Sequence, residues 1–564
     1  MQQWMIYTKR ADFQALGEKY QISPVLARIM INRGVREADF ASYLHGTAGD
    51  MHPPELLPDA AAAVSLILQA IADGKKIRVV GDYDVDGICA TYLLLTGLKR
   101  LGADVSYDIP HRMTDGYGIN RRIIDEAHKA GVGMIVTCDN GISAVDAVSY
   151  AKQLGMTVIV TDHHEPPELL PDADAIVNPK RADSQYPFPE ICGGMVAYKL
   201  LGLLYQKTGI AQEEWFSLLP YAAIATVADV MPLADENRLA VKEGLRRIPY
   251  TENKGLQKLM AVCGLNPYAL TSYSIGFVIG PCMNACGRLE YAGTAVELLL
   301  TEDDAEAERI AGHLKQLNDD RKDMTERFAG TAIQLAETEY ANDAVKVLYL
   351  PECHEAIAGI IAGRVKEYCH HPAIIFTDSE SGLLKGSARS IDSYNIFEKL
   401  TEAQDLLDRY GGHKLAAGLS IRRENLDAFR DFLNAHAGLT QEDFIEKVWI
   451  DVALPFGVLN EELIGQLSLL EPFGQGNEKP LFAQKAVKLL SARAMGAQHN
   501  VAKLYLRDTD GNNKDAVWFG DADSFLSGLA QKQEMDILYY PQVNEYQGRR
   551  TVQLVLKGWK PVSC

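Results

Sequence analysis

Three carboxylates alternate through Asp82-Tyr83-Asp84-Val85-Asp86-Gly87, directly after the apolar run 77–80. That run is rich in β-branched residues and bounded by Gly81, which predicts a buried strand; residues 88–101 predict a helix. The carboxylates then sit at the carboxyl end of a strand, where open α/β sheets place their ligands. If the segment is extended, alternate residues point the same way. Like charges so close repel, and a cation is the simplest remedy. A single Asp-x-Asp is more often a solvated turn, but two further strand ends repeat the pattern. Residues 134–138 run into Asp139-Asn140-Gly141, and 158–161 run into Asp162-His163-His164-Glu165. In a parallel sheet these ends converge on one edge. Asp229, flanked by apolar residues in Ala225-Thr226-Val227-Ala228-Asp229-Val230, fits a buried ligand on a helix. Carboxylates with imidazole suit borderline divalent metals such as Mn²⁺, and several anionic ligands suggest two ions sharing bridging groups.

A chain of 564 residues is too long for one core, so three or four domains are expected. No run of about 18 apolar residues predicts a membrane span, and the first ten residues hold no signal-peptide core. The nine cysteines are dispersed without a CxxC, as reduced thiols in a cytoplasm would be. A formal charge of −19 weighs mildly against a nucleic-acid protein, since basic faces usually supply the affinity. It does not exclude one, because bound metals neutralise the acidic cluster and a basic cleft can coexist with an acidic exterior.

Residues 1–58 read as a helical N-terminal region ending in a proline-rich connector. From 59 to 300 strands and helices alternate, predicting a doubly wound parallel sheet with strands near 77–81, 104–108, 134–138, 157–161 and 174–177. Residues 301–340 read as a charged connecting helix and 341–445 as a second α/β unit. From 446 to 564 the pattern alternates like antiparallel β, and about five strands fit an oligonucleotide-binding barrel.

Phosphate-binding candidates lie between these elements. Arg112 and Tyr117 belong to a glycine-rich loop that could grip phosphate and stack a base, or be plain polar surface. Asn284 and Arg288 sit in a second Gly- and Arg-bearing segment, and Ser387 and Arg389 offer a hydroxyl and a guanidinium. Gly411 and Gly412 would let backbone approach a phosphate, with His413 beside it and a helix expected to follow. Tyr539, Tyr540, Tyr546, Arg549 and Arg550 could form a stacking, basic face, although aromatics in strands are more often core. His370-His371 reads as helix-end polarity.

The ordered motifs GDYDVDG, TCDNGIS, TDHHEP and ATVADVMPL resemble the DHH phosphoesterase superfamily. Together with IPHRMTDGYGIN, VNPKR, GPCMNACGRL and GGHKLAAG they resemble the RecJ single-strand-specific exonucleases, over most of the chain from about residue 39. The resemblance implies an α/β fold: a DHH parallel-sheet domain, a DHH-associated domain joined to it by a long helix, and a C-terminal OB-like barrel. It implies a metal-dependent 5′→3′ exonuclease of single-stranded DNA that releases 5′-mononucleotides in recombination and repair. Asp84, Asp86, Asp139, His163 and Asp229 would be the main ligands of two Mn²⁺ or Mg²⁺ ions, with Asp82 and His164 as ligands or supporting partners. His413 would act on the scissile phosphate. A helicase and a single-strand-binding protein are the expected partners, with no membrane. A DHH enzyme for small substrates, such as short RNA or cyclic dinucleotides, and a metal-free DNA-binding relative are the alternatives. The long connector and barrel argue against the first, and the intact ligand set against the second.

Overall fold

The structure, a computed structural model, describes residues 2–562 except Met113, Gln498, 530–533 and Gln547; the side chain of Tyr546 also lies outside the described residues. The first lobe is a five-stranded, all-parallel sheet. Its strand order is Val105–Asp108, Lys76–Val80, Val132–Cys138, Thr157–Thr161, Ala175–Val177. Alternate strand residues feed two cores. Ile77, Val79, Met134 and Val136 pack with helices Val85–Arg100 and Gly193–Thr208, whereas Val80, Ile135 and Val158 pack with helices Arg121–Lys129 and Val145–Gln153. The winding reverses between Lys76–Val80 and Val132–Cys138, and a crevice opens at the carboxyl ends there. Helices Val85–Arg100 and Gly193–Thr208 touch closely: a Cβ on Gly97 would lie 2.3 Å from Leu201 Cδ2.

Helix Asp304–Glu337 spans 34 residues and starts at an Asp303 cap. Ile310 and Leu314 belong to the first lobe's core, and Phe328, Ala332 and Ala336 to that of the second. The second lobe's sheet runs Arg409–His413, Ala416–Ile421, Leu384–Arg389, Ala373–Asp378, Lys346–Tyr349, antiparallel except for the last pair. The helix expected after Gly411-Gly412 is instead the second arm of a hairpin. Gly412 has φ +149°, and a Cβ there would meet Ala416 O at 2.3 Å, so its glycine serves the tight pairing.

The C-terminal strands Phe482–Met495, Val501–Arg507, Asn513–Phe519, Arg549–Pro561 and Glu534–Tyr546 close into a barrel, because the first pairs with the last. Tyr539 and Tyr540 are buried in it. Tyr539 packs on Phe456 and Phe482 and donates its hydroxyl to Leu454 O, so the stacking face expected of this pair is corrected to core. Arg549 and Arg550 are exposed. The N-terminal region is not purely helical: strand Gln2–Ile6 pairs in parallel with Glu446–Ile450. Leu26, Ile29 and Phe40 share one core with Phe456, Leu504 and Tyr539, so the chain's first and last segments form one packed unit. Arg238, 1 % exposed, ties that unit to the first lobe, donating to Tyr43 O, Leu469 O and Leu470 O. Among the described residues no single helix is long and apolar enough to cross a membrane.

Candidate metal centre and phosphate cleft

The Asp82–Asp86 segment is not extended. Asp84 is the N-cap of helix Val85–Arg100 and accepts the Gly87 N–H at 3.1 Å, while Asp86 lies in its first turn. The helix start, rather than strand alternation, aims these carboxylates at the crevice. Asp139 follows Val132–Cys138 directly, in a left-handed conformation with φ +60°. Asp229 is the C-cap of helix Leu219–Ala228. His163 follows Thr157–Thr161 by two residues.

These groups meet. Asp139, His163 and His164 form one cluster of donor atoms within 4.8 Å of one another; Asp86, His163 and Asp229 form a second, and Asp82, Asp84 and Asp139 a third. Nε2 of His163 lies 3.1 Å from Asp139, 3.5 Å from Asp86 and 3.6 Å from Asp229, yet is hydrogen-bonded to none of them. Both ring nitrogens of His163, Oδ1 of Asp82 and Oδ1 of Asp139 are buried without a hydrogen-bond partner. Groups of this kind are costly to bury uncompensated. Burial, then neighbouring carboxylates, push Asp82, Asp84 and Asp139 above the ordinary carboxylate range, and push Asp229 up to about 9. Burial holds His163 below the usual imidazole range, which keeps it neutral and able to coordinate. Crowded anions beside a neutral imidazole fit divalent cations.

Supporting residues complete the cluster. The Gly193 and Gly194 N–H groups, at the start of helix Gly193–Thr208, donate to Asp86 at 2.7 and 2.6 Å. Asp162 accepts the N–H groups of Ile142, His163 and His164, and binds His164 Nδ1 at 2.8 Å. Burial opposes the charge on His164, but the bond to Asp162 and the surrounding carboxylates prevail and raise it to about 9. Asn140 donates to Val80 O and Cys138 O and accepts the Ile119 N–H, pinning the glycine-rich loop to the sheet. Tyr117 donates to Asp139 O at 2.8 Å. Gly193 and Gly194 were not among the expected site residues, and Asp162 and Asn140, which stand in the expected strand-end motifs, had been given no role there. The signals were a glycine pair opening a helix and polar residues flanking strand-end ligands.

The second feature is a set of guanidinium groups. Arg288, on helix Gly280–Leu289, donates to Ala356 O across the two lobes at 2.9 Å. Burial, then Arg112 and Arg321, push it down to about 10, with Asp84 opposing and Arg389 adding to the repulsion. Arg112 stacks over the Tyr83 ring at 4.7 Å. Arg389 and Ser387 lie against Gly359, the Arg389 guanidinium 3.1 Å from where a Cβ there would stand. Helix Gly280–Leu289 presses on the Asp82–Asp86 loop, since a Cβ on Gly287 would sit 2.2 Å from Tyr83 O. Asn284, one turn before Arg288, is half-buried. Arg321 was not anticipated, because on the charged connecting helix it looks like solvated surface. A cleft of about 920 Å³ is lined by Tyr117, Ser143, His163, His164, Lys180 and, from the second lobe, His413. His413 is exposed on its hairpin with Gly411 and Gly412.

Family comparisons agree with this architecture. Residues 76–226 match the DHH family N-terminal domain, 342–438 the DHHA1 domain and 450–558 the RecJ OB domain. A protein of Bacillus subtilis (strain 168), named single-stranded-DNA-specific exonuclease RecJ, is 36 % identical over 559 residues, covering 98 % of this chain and 70 % of its own length. The protein of that name from Escherichia coli (strain K12) is 33 % identical over 577 residues, covering 96 % of each chain. The chain belongs to the RecJ family. The crystal structure of RecJ in complex with Mn²⁺ from Thermus thermophilus superposes with a TM-score of 0.85 at 30 % identity, covering all of this chain and 80 % of that one. The Mg²⁺ complex from the same organism gives a TM-score of 0.79 at 29 % identity. The RecJ resemblance read from the motifs, and the fold it implied, are therefore borne out.

Proposed function

We propose that this RecJ-family chain hydrolyses single-stranded DNA from its 5′ end, releasing 5′-mononucleotides in DNA recombination and repair. One observation carries the reading: His163 Nε2 stands among three carboxylates without a hydrogen bond to any, in a cluster whose Asp82–Asp86 loop carries Arg112 over Tyr83 and is pressed by the helix that bears Arg288. Two divalent cations, Mn²⁺ or Mg²⁺, would lower the pKa of water toward neutrality and neutralise phosphate oxygens when bound. Asp82, Asp84, Asp86, Asp139, His163, His164 and Asp229 would hold them, with Asp139 common to two of the donor clusters.

The chain's own groups account for substrate geometry. The guanidinium set with Ser387 suits the dianionic phosphate at a strand's end, which internal phosphates do not match in charge. Asp84 lies near Arg288, so a strand anchored there places its first internucleotide linkage beside the carboxylates. From the second lobe His413 lines the cleft that holds His163 and His164, and donates to the phosphoryl oxygens as charge develops. A cleft between the lobes wide enough for one strand would exclude a duplex, and the barrel would track the remainder by stacking and phosphate contacts. A helicase and a single-strand-binding protein that expose and present the strand belong to the same proposal.

The test is digestion of single strands labelled at either end, in Mn²⁺, beside duplex, short RNA and cyclic dinucleotide. The proposal expects mononucleotides from the 5′ end of single strands first. Preference for short RNA or cyclic dinucleotide would replace it with a small-substrate activity, and binding without hydrolysis would make the chain a DNA-binding relative.

A further inference from the structure

Two thiols outside the metal cluster lie in contact. Cys263 caps helix Lys254–Val262, Cys282 lies in helix Gly280–Leu289, and their sulfurs are 3.7 Å apart. Cys282 is buried, whereas Cys263 is half-buried. Asn318 of the connecting helix donates to Cys282 Sγ at 3.3 Å. Its own Oδ1 accepts Nε and Nη2 of Arg321, at 3.2 and 2.9 Å. Arg321 is one of the guanidinium groups surrounding Arg288. A continuous set of contacts therefore runs from the thiol pair to Arg321, whose charge acts on Arg288.

We infer that Cys263 and Cys282 form a reversible oxidation site that a hydroperoxide converts to a disulfide, loosening Arg321 and with it the grip on the strand's terminal phosphate. The Cys263 thiolate attacks one peroxide oxygen; the O–O bond breaks, hydroxide leaves, and Cys263 becomes a sulfenic acid. The Cys282 sulfur then attacks the Cys263 sulfur, the S–O bond breaks, and water leaves with the Cys282 proton. The two thiols lose two electrons and two protons in all, and the hydroperoxide is reduced to two waters when it is hydrogen peroxide, or to one water and an alcohol when it is organic. Geometry asks little of the second step, since the sulfurs close from 3.7 Å to the ~2.0 Å of a disulfide and Cys263 sits at a helix end. Reactivity falls to the right partner. The bond from Cys282, with Lys315 and Lys322 assisting and burial opposing, brings the Cys263 thiol down to about 7, while its contact with Cys263 and burial raise Cys282. A disulfide draws the Cys282 sulfur from Asn318, whose carbonyl orients Arg321. The effect on substrate rests on the exonuclease reading; the disulfide does not.

The test treats the full-length protein with hydrogen peroxide and maps its peptides by mass spectrometry without reduction. The expected result is one new cross-link between Cys263 and Cys282, a net loss of two hydrogens, and reversal by dithiothreitol. In C263S no cross-link should form. Oxidation of Cys263 to sulfinic acid with Cys282 still a free thiol, or a cross-link to another cysteine, overturns the site. The oxidised wild type should show a several-fold higher KM on 5′-phosphorylated single strands with kcat little changed, restored by dithiothreitol and absent in C263S. A disulfide that leaves KM unchanged overturns the coupling through Arg321. If the reduced protein degrades no single-stranded DNA, the exonuclease reading fails, and the mass data still decide the disulfide.

Discussion

The backbone N–H of Gly193 donates to Oδ2 of Asp86 at 2.7 Å, so the start of helix Gly193–Thr208 orients a carboxylate carried by another helix. Nothing larger than glycine fits, because a Cβ on Gly193 would lie 2.6 Å from Cβ of Asp139. Gly193→Ala should keep the fold but displace Asp86 and Asp139 together. Changes to groups that hold a metal ligand typically cost about 10–100-fold in affinity or activity. The expected outcome is a shift of that size in the Mn²⁺ concentration for half-maximal hydrolysis. An unchanged Mn²⁺ dependence would show that this helix start plays no part in the centre.

Asp139→Asn should remove nearly all hydrolysis while leaving DNA binding largely intact, because phosphate contacts elsewhere position the strand. Its stability signature is equally specific. Asp139 is held above the ordinary carboxylate range by burial and then by Asp86, Asp84 and Asp82, so without metal its charge destabilises the fold. The metal-free variant should melt no lower than the metal-free wild type. Mn²⁺ should raise the wild-type Tm, as a ligand of the folded state does, and raise that of the variant far less. Equal Mn²⁺ shifts would remove Asp139 from the ligand set.

His413→Ala tests the second lobe's part in the chemistry. An exposed histidine facing the cleft from a hairpin contributes little to stability, so the variant should fold normally. Loss of a donor that acts on developing charge costs about 10²–10³ in kcat. Steady-state kinetics on a short oligonucleotide would measure it. A change confined to KM would move His413 from the transition state to ground-state binding.

Much of this site is legible in sequence because apolar strand runs stop abruptly at Asp82, Asp139 and Asp162, and one edge of a parallel sheet gathers such stops. What stayed hidden depends on contacts between segments distant in sequence. Asp86 proved helical because the helix begins three residues before the predicted start, with Asp84 as its cap. The partners that hold Asp86 lie more than a hundred residues downstream, at Gly193 and Gly194. The Gly411-Gly412 hairpin was misread as a loop leading into a helix because glycine is rare in strands and common before helix starts. Strand Phe482–Met495 is hard to read in sequence because its apolar alternation is broken, and its pairing shifts register between Leu489 and Ser491. Tyr539 is core because its hydroxyl finds Leu454 O inside the barrel, a partner that strand periodicity does not show.

His371 predicts an acid sensitivity of the second lobe. Its ring stacks on Phe444 at 3.9 Å, and Nδ1 donates to Cys369 O. Burial outweighs that bond and lowers His371 below the usual imidazole range, so protonation favours the unfolded chain. The stabilisation is complete above about pH 6.5 and is lost as pH falls from there toward the folded-state value. His371→Phe keeps a ring on Phe444 and cannot titrate. Urea midpoints at about pH 7.5 and about pH 5.5 should fall more for wild type than for the variant. Equal falls would place the acid sensitivity elsewhere.

The barrel's attachment gives the last expectation. Deleting residues from Glu446 onward would strip Leu26, Ile29 and Phe40 of their core, because the N-terminal segment folds onto the barrel. A cleaner probe is Arg238, which crosses from the first lobe to Tyr43 O, Leu469 O and Leu470 O at 3.2, 2.7 and 2.7 Å. Arg238→Met keeps most of the buried volume and removes every donor. Leaving buried acceptors unmet costs about 1–3 kcal/mol each, so the unit should loosen from the first lobe. All proposed metal ligands and guanidinium groups stay in place, since none of them contacts Arg238 through these bonds. Turnover on oligonucleotides too short to reach the barrel should therefore be near wild type. Long single strands should be released early, and more so at high salt, where phosphate contacts weaken. Product lengths after a single encounter, with excess unlabelled DNA as trap, read this directly. Full processivity in a variant whose barrel has measurably loosened would show that strand tracking resides in the two α/β lobes.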